Sequence, residues 1–250
     1  MNKKQILQYL LILLLAAGTS MFLYREGTQL NRLITDENTA TLARPGFVLD
    51  TDDEEWIMQA EDAAEHHKLR IRNVPDDNWP LGRENQWPSP FLWLILGCSW
   101  LYSTLYGVGG HEAIYHGACL VNPLIFFLFA AGITPFAIKR FGFLGSIFLV
   151  FGVIWTYRGS IDYLGIRPAH HALTYITLTV FLVTSILCSQ ERKRCSLLFW
   201  ISAISAAIST WLGPLSTLPL IAAWGFGTMA TTIWGSKESR DYGYWKLWGA

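Results

Sequence analysis

Six long stretches of this 250-residue chain carry no Asp, Glu, Lys or Arg, at 5–23, 119–138, 142–157, 170–188, 196–212 and 216–234. A helix that crosses a bilayer needs about 20 mostly apolar residues. Such runs are hard to place in any water-soluble fold. A seventh, 91–108, is also free of charge but interleaves tryptophan, tyrosine and serine with its leucines. The rest agrees: 52% of residues are hydrophobic and 15% charged, and the mean hydropathy is +0.28. A soluble domain ordinarily carries about 25% charge. The expected class is therefore all-α, a polytopic membrane protein with about six transmembrane helices.

Orientation follows from basic residues in short loops. With 91–108 lying along the interface, ten lysines and arginines fall on the inner side: Lys3, Lys4, Lys139, Arg140, Arg192, Lys193, Arg194, Lys237, Arg240 and Lys246. Two, Arg158 and Arg167, face outward in the short loop. With 91–108 crossing, the balance becomes four inside and eight outside. The first arrangement is preferred, although the length of 91–108 also permits a span. It divides the chain into an N-terminal anchor (1–23), a long outer loop (24–118), a five-helix bundle (119–234) and an inner tail (235–250). The first run, after Lys3 and Lys4, also fits a signal peptide, but no A-x-A site follows it, which favours an uncleaved anchor. Trp155, Trp211 and Trp234 fall near span ends, where an aromatic belt places them.

The outer loop is too long to be a connector, and it holds most of the acids. Thr51 with Glu54 forms a capping box, so a helix is expected from Asp52. Trp56, Ile57, Ala60, Ala63 and Ala64 give that helix an apolar stripe. Asp52, Asp53 and Glu54 suit a first helical turn, where the helix dipole favours acids. The Asp50-Thr51-Asp52 spacing also suits a hard cation. Prolines 75, 80, 88 and 90 and Gly82 then break regular structure, with Trp79, Trp87 and Trp93 among them at headgroup depth. In the second outer segment, 158–169, Arg167 precedes His170 and His171 at the mouth of a span. Polar residues there mark function or simply cap the helix. Successive helical residues point about 100° apart, so one ion would use both histidines only if a helix starts between them. Cys98, Cys119, Cys188 and Cys195 have no metal-site spacing, and no basic stripe suggests nucleic acid.

The strings DTDDEEW (50–56), PLGRENQWPSPF (80–91) and RPAHHAL (167–173), in this order and topology, resemble the GT-C membrane glycosyltransferases related to the catalytic subunit of oligosaccharyltransferase. The resemblance runs over essentially the whole chain. It implies a GT-C-like fold with juxtamembrane helices in the outer loop and a bacterial-type inner membrane with that loop on the periplasmic side. It further implies sugar transfer from a polyprenyl-phosphate-linked donor on the outer face. Asp52 and Asp53 would be the catalytic carboxylates, and Asp50, Asp52, His170 and His171 would hold a divalent cation, magnesium or manganese. Arg83 and Arg167 would meet donor phosphate oxygens.

The chain departs from the family in two ways. Its Asp-His-His motif reads Ala169-His170-His171 here, with Asp162 seven residues earlier, and the usual later spans do not follow residue 250. The chain thus looks like the N-terminal half of such an enzyme. The alternative is a non-catalytic membrane subunit that binds a lipid-linked sugar or a partner protein, with a second chain completing the bundle. A transporter fits less well, because the spans carry no ionisable residue beyond the histidine pair.

Overall fold

The computed structural model describes residues 1–38, 51–74, 81–85, 88–155, 162–163, 165, 167–190 and 195–234, without the side chains of 30–38, 51–53, 189–190, 195–196, 228 and 231–234. Asp50, Trp79, Trp87, Arg158 and the tail at 235–250 lie outside the described residues. Among the described residues the chain is almost wholly helical: α1 (Lys3–Asn38), α2 (Thr51–Glu65), α3 (Ser89–Tyr106), α4 (Gly110–Trp155), α5 (His171–Gln190), α6 (Cys195–Leu212) and α7 (Pro214–Trp234). One small antiparallel sheet among the described residues, β1 (Asn73–Val74) with β2 (Arg83–Glu84), pairs Val74 with Arg83 between α2 and α3.

Among the described residues, three helices are long and apolar enough to cross a membrane: Lys3–Gln29, Gly110–Trp155 and His171–Cys188. A shorter apolar helix spans Leu197–Leu212. What these helices leave exposed fits a membrane protein. On α1, Ile12, Ala16 and Leu23 are buried along one stripe, whereas Leu7, Leu10, Leu14, Met21 and Phe22 are exposed. A strip of large apolar side chains on that scale is not left facing water. The start of α1 is closed by a reciprocal cap. Gln5 N donates to Asn2 Oδ1 and Asn2 N to Gln5 Oε1, each at 2.9 Å.

The chain forms two compact units, Met1–Ala172 and Leu173–Ala250. In the first, α1 and α3 both pack on α4, and α2 packs on α3 and α4. α4 contains 46 residues, a length of about 70 Å at ~1.5 Å per residue. That exceeds twice the ~30 Å hydrocarbon core, so the chain has to break, and it does so at Gly142 (φ 70°, ψ −174°). Only glycine adopts such a backbone readily. The break falls just beyond Lys139 and Arg140, where the sequence predicts an inner turn. α4 begins nine residues ahead of the expected run at 119. Its core face continues back through Ala118, Gly117, Ile114 and Ala113 even though His111, Glu112 and His116 interrupt the apolarity. A three-residue loop, opened by Gly107 in the left-handed region, joins α3 to α4.

In the second unit, the hydroxyls of Ser185 on α5 and Ser202 on α6 hydrogen-bond at 2.6 Å. The α6–α7 turn is the single residue Gly213 before Pro214, as the sequence suggests. Thr217 Oγ1 donates to Gly213 O at 2.8 Å and secures that turn.

Candidate functional site

Helix α2 opens at Thr51, one residue before the expected start, and buries Trp56, Ile57, Ala60 and Ala63 of its predicted stripe, while Ala64 is exposed. It ends in a Schellman arrangement. Lys68 N donates to Ala63 O at 2.9 Å and His67 takes the left-handed position (φ 53°) usually given to glycine.

The buried face of α2 meets the turn before α5 through aromatic rings. The Trp56 ring centroid lies 4.9 Å from that of Phe91 on α3 and 5.8 Å from that of His170. Phe91 and His170 are 6.5 Å apart, and His170 lies against His171 at 4.3 Å with the rings tilted by 37°. The two histidines converge because α5 begins at His171. His170 belongs to the preceding turn, so the ~100° divergence of neighbouring helical residues does not apply.

What fixes that turn is Asn122, a buried amide on α4. Its Nδ2 lies 2.8 Å from Asp162 O, 2.7 Å from Arg167 O and 3.2 Å from Ala169 O. Behind it, Tyr163 donates its hydroxyl to Ala172 O at 3.0 Å. Gly165 presses so closely on α1 and α4 that a Cβ there would lie 2.9 Å from Cys119 O and 3.1 Å from Tyr24 Cα. Pro123 has no N–H to offer the carbonyl four residues back, Cys119 O. This unoccupied side of α4 is where Gly165 settles.

The predicted site residues are distributed as follows. His170 and His171 come together. Asp52 and Asp53 stand in the first turn of α2, with Asp52 one helical turn before Trp56, and their side chains lie outside the described residues, as does all of Asp50. The Arg83 guanidinium is ion-paired at 2.5 Å with Glu55 of α2. The same Glu55 oxygen accepts from Gln59 Nε2 at 2.9 Å, and Asn85 Nδ2 donates to Gln59 Oε1 at 2.7 Å. Gly82, which precedes Arg83, has φ 71°. The GREN string (82–85) is thus a glycine turn followed by two side chains that clamp β2 onto α2. Arg167 contributes its backbone carbonyl to the Asn122 anchor.

Sequence reading missed Asn122 and Phe91. A buried asparagine inside a charge-free run was the available signal for the first. Among the described residues no group of three or more His, Cys, Asp or Glu is placed to hold a metal ion. Two imidazoles fall short of the six to eight oxygens that hard cations such as calcium take, so the described residues alone do not fit a cation site.

Burial pushes the His170 imidazole down from 6.5 to about 4, and the neighbouring His171 acts in the same direction. A neutral His170 can accept a proton or a hydrogen bond, but it brings no positive charge to a phosphate. The shift also sets a pH dependence. Between about 6.5 and 4 the unfolded chain binds the proton that the folded chain refuses, so stability falls as pH drops through that window. Thermal unfolding in one detergent should show wild type losing stability from pH 7 to pH 5. His170→Gln should lose less. Equal losses would mean that His170 is not held neutral.

No protein-family profile, curated protein or solved structure matches this chain.

Proposed function

We propose that this chain is a GT-C-like membrane protein that binds, and in a complete assembly transfers, a sugar carried on a polyprenyl phosphate at the outer membrane face. The reading rests on the resemblance of three motif segments. The single observation supporting it is the Trp56–His170 contact at 5.8 Å. Through it the acid-opened helix α2 and the histidine pair, 114 positions apart in sequence, come to one place at the mouth of an apolar helix. In this reading an α2 carboxylate orients or deprotonates the acceptor, and Arg167 meets the departing lipid phosphate, as a guanidinium does well.

Binding is tested with the full chain in nanodiscs and a labelled polyprenyl-phosphate sugar. Trp56→Ala and His170→Ala should each weaken binding about tenfold, the equivalent of ~1.4 kcal/mol. A wild-type chain with no donor affinity beyond that for bare polyprenol would overturn the reading. Release of labelled sugar to an acceptor separates a transferase from a binding subunit. The binding-only form is favoured by Ala169, which stands where the family has a carboxylate and is 4% exposed. Ala169→Asp would have to bury its charge and is expected to destabilise the chain.

The six-span arrangement belongs to the same proposal. α3 is not among the helices apolar enough to cross, and its tightest approach to α4, Ser99 against Gly117, lies on the outward extension ahead of residue 119. Cysteines introduced at Asn78 and Ser160 should label from one side of the membrane, and at Ser236 from the other; all three lie outside the described residues. Labelling of 78 and 160 from opposite sides would make α3 a span.

A further inference from the structure

The segment between α2 and β1, Lys68-Leu69-Arg70-Ile71-Arg72, has no part in the aromatic–histidine site. Ile71 is buried, and its neighbours Arg70 and Arg72 are exposed. Both guanidiniums are thus open to the surroundings while the isoleucine between them is covered. Ile71 is held in place, since Asn85 Nδ2 donates to Ile71 O at 3.1 Å and Asn85 N to Arg72 O at 2.8 Å. Lys68 is taken by Asp62 at 3.3 Å. Arg70 and Arg72 make no ion pair among the described residues. Of the described acids, Asp62 serves Lys68 and His66, and Glu84 stands on β2 opposite Asn73.

The two cations adjoin apolar surface. Leu69 is 75% exposed, and its carbonyl accepts from Trp93 Nε1 of α3 at 2.7 Å. Trp93 and Trp100 belong to the exposed side of α3, opposite the buried Phe91, Leu92, Ile95 and Cys98. The hydrogen bond therefore ties two exposed guanidiniums, unpaired among the described residues, to an exposed leucine and an apolar helix face. A soluble anion has use for the first but none for the second. A phospholipid has use for both, with its phosphate on the arginines and its chains beside Leu69 and Trp93. We infer that Arg70 and Arg72 dock the outer loop on anionic phospholipid headgroups, with Leu69 and the exposed face of α3 seated in the interface below them. The inference rests on the outer-loop placement of α3 and is independent of the sugar donor.

The test uses the full chain in mixed micelles of equimolar phosphatidylglycerol and phosphatidylcholine, counting retained lipids by native mass spectrometry. Wild type should retain phosphatidylglycerol preferentially. Arg70→Gln/Arg72→Gln should reduce the preference by up to about 30-fold, as ~1 kcal/mol for each interfacial cation implies. The single variant Arg70→Gln should fall between, and Arg70→Lys/Arg72→Lys should keep most of the preference. The effect should weaken at high salt, because the arginines are exposed. Three results would overturn the inference: no preference in wild type, an unchanged preference in the double glutamine variant, or release of the lipid by inorganic phosphate alone. The last would identify a simple phosphate site. Binding of the polyprenyl donor, measured on the same samples, should not respond to these variants, so loss of donor binding concerns the sugar reading alone.

Discussion

Replacing Gly117 with alanine should lower the unfolding temperature by about 2–12 °C, while the same change at Gly132 on the same helix should leave it unchanged or raise it. A Cβ at Gly117 would overlap Ser99 Oγ and lie 2.5 Å from Ser99 N and 2.6 Å from Ser99 Cα. The hydroxyl could rotate away from its 2.7 Å bond to Ile95 O. The backbone atoms can retreat only if α3 retreats with them. Overpacking of this kind costs about 1–3 kcal/mol, and a chain of this size loses ~2–4 °C per kcal/mol. At Gly132 nothing lies within 4 Å of the added methyl, so only the better helix propensity of alanine is felt, up to ~1 kcal/mol. Because α3 also carries Phe91, the Gly117 variant should disturb the Trp56–His170 cluster as well. Equal unfolding temperatures for the two variants would mean that α3 and α4 are not packed through this point.

Helix pairing through Gly117 was not legible in the sequence, although the helices themselves were. Absence of charge over about 20 residues located α4, α5, α6 and α7, because a long apolar run has few alternatives to a helix. The Thr51–Glu54 pair located the start of α2 because a capping box is a local device, complete within four residues. The stripe from Trp56 to Ala63 was read correctly for the same reason: its helical period needs no knowledge of the partner.

What stayed hidden depends on neighbours far along the chain. Residues 110–118 carry His111, Glu112 and His116, so hydropathy stops at 119. The helix continues because α3 covers its other face, and the His111 imidazole meets a carboxylate oxygen of Glu61 on α2. Arg83 reads as a free cation for a phosphate until the fold brings Glu55 to it from 28 positions away. The two histidines read as divergent neighbours because nothing local says that a helix begins between them. The aspartates of DTDDEE remain a matter of sequence alone, since Asp50 and the side chains of Asp52 and Asp53 lie outside the described residues.

Asn122→Leu should cost more than any change at an exposed residue between α2 and α3, and its damage should appear at the histidines rather than in α4. The substitution is close in volume and suits an apolar helix, so by hydropathy alone it would stabilise. The asparagine amide nitrogen, however, stands 2.7–3.2 Å from three backbone carbonyls, those of Asp162, Arg167 and Ala169. An NH2 group has two hydrogens, so two of these contacts are full hydrogen bonds at any moment. Leucine strands both acceptors in a buried place, at ~1–3 kcal/mol each. The cheapest escape is for residues 162–169 to swing toward water, which draws His170 away from Trp56 and Phe91. Ala169 is buried, which supplies the readout. In a cysteine-free background, Ala169→Cys should resist a membrane-impermeant maleimide when Asn122 is present and react readily when Asn122→Leu is added. The pH dependence assigned to His170 should flatten in the same variant, because an imidazole released to solvent regains its ordinary affinity for protons. Asn122→Gln, which keeps the amide on a longer arm, should recover part of both signals. A thiol at position 169 that stays protected in the Asn122→Leu variant, with the pH dependence intact, would show that the segment is held by Gly165 and Tyr163 without the amide.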